Sequence, residues 1–237
     1  MFHPYKFMRA IALSFSVALM FAGCSNSPEP HASNEGVIVY EVSFPFDEDN
    51  PYINIYPKEM TFTFKGDKVR AKLASFAEVV CSEFIMDNSA KTFSQYFKVF
   101  DEKYKMNLND AEVQEMVAQF PTMNLSSTSE IDSLAGLLCK KSFAHFVDRS
   151  IQPITLYHTS AIGISAPNWC NQFSEIQEVL LGYEVEQFGK RMQLTAKEVR
   201  YEAVSDEKFN TPQGYEDLSF EEMHSKIADL VSQFDQK

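Results

Sequence analysis

The sequence predicts an α+β fold in which antiparallel β-strands dominate, and three observations support this class. The chain contains 21 phenylalanines, and aromatic side chains favour strands because they pack well on a pleated surface. Several segments alternate apolar and polar residues with the period of two that a strand requires. Short glycine-containing links join some of these segments, as in β-hairpins. Residues 37–237 are long enough to form one well-cored domain.

The first predicted strand and the first predicted hairpin lie near the start of this domain. The strand begins at Val37, and alternate residues are apolar: Ile38, Tyr40, Val42, Phe44 and Phe46. The hairpin turns at Gly66-Asp67, with alternating residues on both sides. A second hairpin is expected around Asp87-Asn88-Ser89. Consecutive hairpins predict an antiparallel meander.

Two segments change to helical spacing. Between Asn109 and Phe120, apolar residues recur every three or four positions, and Asn109 with Glu112 forms a predicted capping box. Ser219 and Glu222 form a second box at the start of a C-terminal helix. Its apolar face contains Phe220, Met223, Ile227, Leu230, Val231 and Phe234. Both stripes are typical of helices that lie on a sheet, and a second interpretation makes them lids over a concave sheet face.

Four further strand segments are predicted in the second half of the chain. Ser133–Val147 is expected to be one strand with a bulge or bend at Gly136. Ile154–His158 and Ile176–Val185 are expected to be strands. In the last segment, the alternation from Met192 onwards shifts by one at Lys197-Glu198, as at a β-bulge that bends a sheet.

The N-terminal segment indicates export and lipidation. Lys6 and Arg9 precede an apolar run of about 13 residues, which is shorter than the ~20 residues that a membrane-spanning helix needs. The run ends in Phe21-Ala22-Gly23-Cys24, the pattern of a bacterial lipoprotein cleavage site, although leucine is more usual than Phe21. We therefore predict a lipoprotein signal peptide at 1–23 and lipidation of Cys24. An ordinary signal peptide is the alternative. Residues 24–36 are expected to be a flexible tether.

The charge and the location of the protein restrict its partners. The net charge is −12, and loss of the signal peptide, which carries Lys6 and Arg9, makes it −14. An acidic surface disfavours nucleic acid, which requires basic side chains. It also disfavours basic-patch binding to anionic lipid, so the acyl anchor is the expected membrane contact. We expect attachment at the outer membrane of a Gram-negative bacterium, with no protein partner identified.

The cysteines, the histidines and the acidic loop 47–50 provide no recognisable site. The exported location permits disulfides, and Cys139–Cys170 is one pairing, but buried free thiols at Cys81, Cys139 and Cys170 are the alternative that we favour. No pair of cysteines or histidines has zinc-site spacing, so no metal and no cofactor are predicted. Asp132, Ser133, Cys139 and His145 lie close in sequence, but they match no hydrolase signature. We therefore predict a protein that is not an enzyme, with a thiol or serine hydrolase as the third alternative.

Several short motifs resemble a family of exported bacterial proteins that is related in fold to the LolA/LolB lipoprotein carriers. The first strand, GVIVYEV at 36–42, looks like that of the family. AGLLCKKS at 135–142 is similar to its AGxxCKKA signature, with Ser142 where alanine is commoner. EVLLGY at 178–183 resembles GVLLEY, with Glu178 where glycine is usual. Phe209, Pro212, Gly214 and Tyr215 match its closing FxxPxGY pattern.

The resemblance implies a curved, LolA-like half-barrel with amphipathic helices covering its concave face, and a hydrophobic cavity between them. It therefore implies binding of a lipid or another hydrophobic ligand. From strand alternation, we expect five residues to line the cavity: Phe62, Phe64, Phe97, Met192 and Leu194. The alternative is a structural lipoprotein with a filled core that docks an envelope partner. No catalytic residue can be transferred from the family.

Overall fold

The computed structural model describes residues 34–187 and 190–233, which form one twelve-stranded sheet and two α-helices. The fold is therefore of the expected α+β class with mainly antiparallel strands. The strands are β1 (Glu35–Ser43), β2 (Glu59–Lys65), β3 (Lys68–Ala74), β4 (Val80–Asp87), β5 (Thr92–Val99), β6 (Glu102–Leu108), β7 (Met123–Leu134), β8 (Leu137–Phe146), β9 (Ile154–Thr159), β10 (Val179–Gln187), β11 (Lys190–Arg200) and β12 (Glu216–Asp217). The helices are α1 (Asp110–Val117) and α2 (Phe220–Gln233).

Two meanders joined side by side make up the sheet. Strands β1 to β6 follow one another in space, as do β7 to β11, and the two sets meet where β1 pairs with β11. All neighbours are antiparallel except β12, which is parallel to β6. Within the described residues the sheet is open, with β12 and β7 at its edges.

The local signals that specify hairpins and helix starts are confirmed. Lys65 pairs with Lys68 across the first predicted turn, and Asp87 pairs with Thr92 across the second. In the capping box of α1, the Asn109 side chain accepts from the backbone of Glu112, whose carboxylate accepts from the backbone of Asn109. Ser219 and Glu222 make the same reciprocal pair at α2.

The predicted bulge in the last long strand is also confirmed. Val39 pairs with Glu198 and Tyr40 pairs with Ala196, which leaves Lys197 as the extra residue on β11. An extra residue on one strand bends the sheet and increases its twist. The bend therefore lies at the junction of the two meanders.

Four expectations about strand limits are wrong, and one of them concerns β10, which begins at Val179 and not at Ile176. Ser133–Val147 is a hairpin and not one bulged strand, because Ala135 and Gly136 have φ angles of 49° and 79°. Positive φ at both central residues is the geometry of a tight turn that reverses the chain. β1 begins at Glu35, so the last two residues of the expected tether belong to the sheet. β1 also ends at Ser43, and Phe46 beyond it is 71% exposed.

The main core lies on one face of the sheet. It includes Ile38 and Phe64 from the centre of the sheet, together with Val113 from α1 and Met223 from α2. α1 packs on β5 and β6, and α2 packs on β6. The two helices thus cover the end of the sheet that the first meander forms.

Candidate functional site

A cavity of about 260 Å³ lies between the sheet, the end of α1 and the loop at 167–173. Most of its wall is aromatic or aliphatic, and the aromatic residues are Tyr40, Phe62, Phe84, Phe93, Phe120, Phe173 and Tyr183. Phe120 and Glu186 lie on its wall and are both exposed, so the cavity opens to the surface there. Within the described part of the chain, no lysine or arginine lines it. The site is an apolar pocket with an acidic group at its mouth.

Three of the five residues expected at the cavity line it, namely Phe62, Met192 and Leu194. Phe64 and Phe97 do not. Both lie on the same sheet face as the cavity residues but farther along their strands, where they are buried in the solid core. Strand alternation therefore identifies the correct face, but it does not say where along the strand the open space lies.

Phe120, just after α1, lies on the wall of this cavity and of two neighbouring ones. Its side chain also lines a cavity of about 250 Å³ beside α2 and another of about 280 Å³ beside Phe146 and Ile154. Glu186 lines all three cavities. The three cavities therefore lie next to one another around Phe120 and Glu186.

The cavity wall is uncharged at its centre. The Tyr40 hydroxyl donates to the carbonyl oxygen of Leu180 at 2.7 Å, and burial raises the pKa of Tyr40 well above its usual range. Burial raises the pKa of Tyr183 too. The rings of these two tyrosines meet edge to face at 6.1 Å. Both phenols therefore stay neutral at physiological pH, and the cavity favours apolar molecules.

The residues of the hydrolase alternative do not assemble into a site. Cys139 lies opposite Asp132 across the β7–β8 hairpin and is 1% exposed, and burial raises the pKa of its thiol. His145 is six residues farther along β8, which corresponds to roughly 20 Å at the rise of a strand. The thiolate form that nucleophilic catalysis needs is thus disfavoured, and His145 lies beyond its reach.

Sequence analysis missed a different serine–histidine–carboxylate chain, which joins β8, β9 and the start of β10. The Ser142 hydroxyl and His158 Nε2 are 2.9 Å apart, and His158 Nδ1 lies 2.6 Å from the Glu178 carboxylate. Lys140 donates to the other carboxylate oxygen. Burial of Glu178 acts to raise its pKa, but the hydrogen bonds from Lys140 and His158 outweigh burial and lower it.

The geometry of this serine–histidine–carboxylate series does not suit hydrolysis. In a serine hydrolase the hydroxyl faces substrate and the carboxylate is buried. Here Ser142 is 3% exposed and lines none of the three cavities above, whereas Glu178 and Lys140 form the solvent end. The arrangement satisfies a buried hydroxyl and fixes the start of β10. In the sequence, Ser142 and Glu178 both stand where the motifs quoted above have another residue.

Among the described residues, no group of three or more histidine, cysteine or acidic side chains could hold a metal ion. Cys81, Cys139 and Cys170 are free and buried, so the Cys139–Cys170 bridge is not formed. Burial raises the pKa of Cys81 to about 11 and that of Cys170 to about 12. These thiols are inert packing groups.

Cys24, the signal peptide at 1–23 and most of the expected tether lie outside the described residues. Within residues 34–187 and 190–233, no helix is long and apolar enough to cross a bilayer.

Comparison with known proteins identifies a fold likeness only. No protein-family model matches the sequence, and no relative was found among curated proteins. Two solved structures of PNGF-II are similar in fold. One, in space group C2, has a TM-score of 0.52 and 15% identity, and covers 82% of this chain and 32% of the PNGF-II chain. The other, in space group P21, has a TM-score of 0.51 and 16% identity, and covers 85% and 34%. The chain spans about a third of PNGF-II, and the LolA/LolB resemblance stays a prediction.

Proposed function

We propose that this protein is a lipid-anchored component of the cell envelope that binds a slender hydrophobic molecule, such as one acyl chain, without catalysing a reaction. The observation that carries the proposal is the aromatic-lined cavity of about 260 Å³. Small-molecule sites are typically apolar clefts of about 300–1,000 Å³. The volume therefore suits a single chain rather than a whole diacyl lipid.

In this proposal the open sheet is the curved half-barrel of the LolA/LolB carriers, with α1 and α2 over its concave face. The shared wall of the cavity supports it, because sheet residues such as Phe62 and Leu194 line the same cavity as Met116 of α1. The alternative of a docking protein required a filled interior. The cavity therefore favours ligand binding.

Filling the cavity should weaken ligand binding. Ala71 on β3 pairs with Phe62 and Phe84 on the neighbouring strands, and all three residues line the cavity. In Ala71→Phe the ring would occupy the volume that a ligand needs. We expect at least about tenfold weaker binding of the neutral fluorophore N-phenyl-1-naphthylamine, a loss of about 1.4 kcal/mol, with the melting temperature kept or raised.

Ala90→Phe is the matched control, since Ala90 lies in the exposed turn between β4 and β5. Native mass spectrometry of wild-type protein purified without detergent provides a second measurement, in which co-purifying lipid is expected. Equal fluorophore affinity in Ala71→Phe and wild type would contradict the proposal, as would a wild type that takes up neither fluorophore nor lipid.

The anchor is tested with the full chain expressed in a Gram-negative host. Wild type should incorporate labelled palmitate and sediment with membranes, because two or more acyl chains give stable attachment. Cys24→Ser should lose both properties. Cys81→Ser, which changes a buried thiol, should keep both. An unlabelled, soluble wild-type protein would show that Cys24 is not lipidated.

A further inference from the structure

We propose that Gln95 binds the polar end of the ligand, so that the protein selects an uncharged, carbonyl-bearing chain such as a fatty acyl ester. This inference rests on the proposed function and specifies its ligand class. The Gln95 amide would donate a hydrogen bond to the carbonyl oxygen, while the hydrocarbon part lies against the aromatic wall.

Gln95 is an exception on an apolar surface. It lies in the middle of β5, paired with Phe84 on β4 and Met106 on β6. Its neighbours on the same face of β5 are Phe93 and Phe97, and both are buried. Gln95 itself is 5% exposed. An apolar residue would fill this position without the loss of hydration that a buried amide suffers.

The amide nitrogen of Gln95 has no hydrogen-bond partner among the described residues. Buried polar groups in native proteins are nearly always paired, because an unpaired donor loses its hydrogen bonds to water and regains none. Gln95 lines both the main cavity and the cavity beside α2. A ligand in either volume would lie against the Gln95 side chain, and an acceptor oxygen on that ligand would supply the missing partner once the buried amide turns towards it.

The charges around the cavity decide between a carbonyl and a carboxylate. Burying an ionised group is costly unless an opposite charge pairs with it. No lysine or arginine of the described residues lines the main cavity, and Glu186 at its mouth repels anions. An ester or amide carbonyl therefore fits Gln95, whereas the anion of a free fatty acid does not.

The test compares three ligands of similar length by displacement of N-phenyl-1-naphthylamine: methyl decanoate, n-dodecane and the decanoate anion. The first two are both twelve-atom chains and differ in the carbonyl and ester oxygens. In Gln95→Leu we expect the ratio of ester to alkane affinity to fall about fivefold to tenfold, which is the value of one hydrogen bond. Wild type should bind the ester more tightly than the anion.

Gln114→Leu is the matched control, because it removes an exposed amide of α1 that lines none of the three cavities, and it should leave the ratio unchanged. Gln95→Met, which keeps an unbranched side chain, replaces Gln95→Leu if that variant does not fold. An unchanged ratio in the Gln95 variants, or tighter binding of the anion, overturns this inference and leaves the proposed function standing. If neither the three ligands nor the fluorophore bind to the wild type, this inference and the proposed function are both overturned.

Discussion

Replacing Phe64 by alanine is expected to lower the free energy of unfolding by about 3–5 kcal/mol, as for a large aromatic residue in a packed core. Phe64 is completely buried, and it pairs with Gly36 on β1 and Val69 on β3. The ring lies outside the cavity wall, so its removal leaves a void in the solid part of the interior. Urea denaturation followed by circular dichroism measures the change.

Phe62→Ala is the matched comparison, because Phe62 lies two residues away on the same face of β2. Phe62 is only half buried and lines the cavity. Phe62→Ala should lower the free energy of unfolding less than Phe64→Ala does, because the half-buried Phe62 ring contributes less buried apolar surface. It should weaken fluorophore binding, whereas Phe64→Ala should not. Equal effects of the two variants on both measurements would mean that the cavity and the solid core are not distinct.

Gly36→Ala should destabilise the protein by about 3 kcal/mol, because the new methyl group would overpack a site with no free space. A Cβ atom at this position would lie 2.2 Å from the carbonyl oxygen of Arg200, which belongs to the backbone of β11. Backbone cannot rotate away as a flexible side chain can. Accommodation would separate β1 from β11 and weaken the pairing that joins the two meanders.

Gly66→Ala provides the control for this prediction. Gly66 has a φ of 58° in the β2–β3 turn, and a Cβ atom there would have no neighbour within 4 Å. Gly66→Ala should therefore lower the free energy of unfolding by only about 1 kcal/mol, which is the cost of the left-handed backbone conformation for alanine. The difference in urea midpoint between the two variants isolates the steric effect. A Gly36→Ala protein as stable as Gly66→Ala would argue against the close approach of β1 and β11.

Local sequence rules predicted those parts of the fold that local interactions determine. The turn at Gly66 requires a left-handed backbone, and the capping side chain of Asn109 lies next to the amides that it satisfies. The bulge at Lys197 could be predicted because one alternating pattern shifts inside one strand. Each of these signals acts over a few residues, so one sequence is enough to find it.

The remaining elements depend on neighbours that are distant in sequence. β7 forms an edge of the sheet, and most of its side chains are exposed, so it lacks apolar alternation. The turn at Ala135-Gly136 lies inside an apolar run, so the sequence pattern there predicts one continuous strand. Gln172 and Phe173 reach the cavity from a loop whose path is set by tertiary contacts. Strand alternation alone could not place them there.

The pairing of β1 with β11 also has a consequence for the order in which the protein can fold. β1 gains β2 as a neighbour within about 30 residues of chain, but its other neighbour, β11, ends at Arg200. Such long-range pairings slow folding, because a long loop must close before they form. β1 is synthesised before the other strands of the sheet, but it is among the last to have a neighbour on both sides.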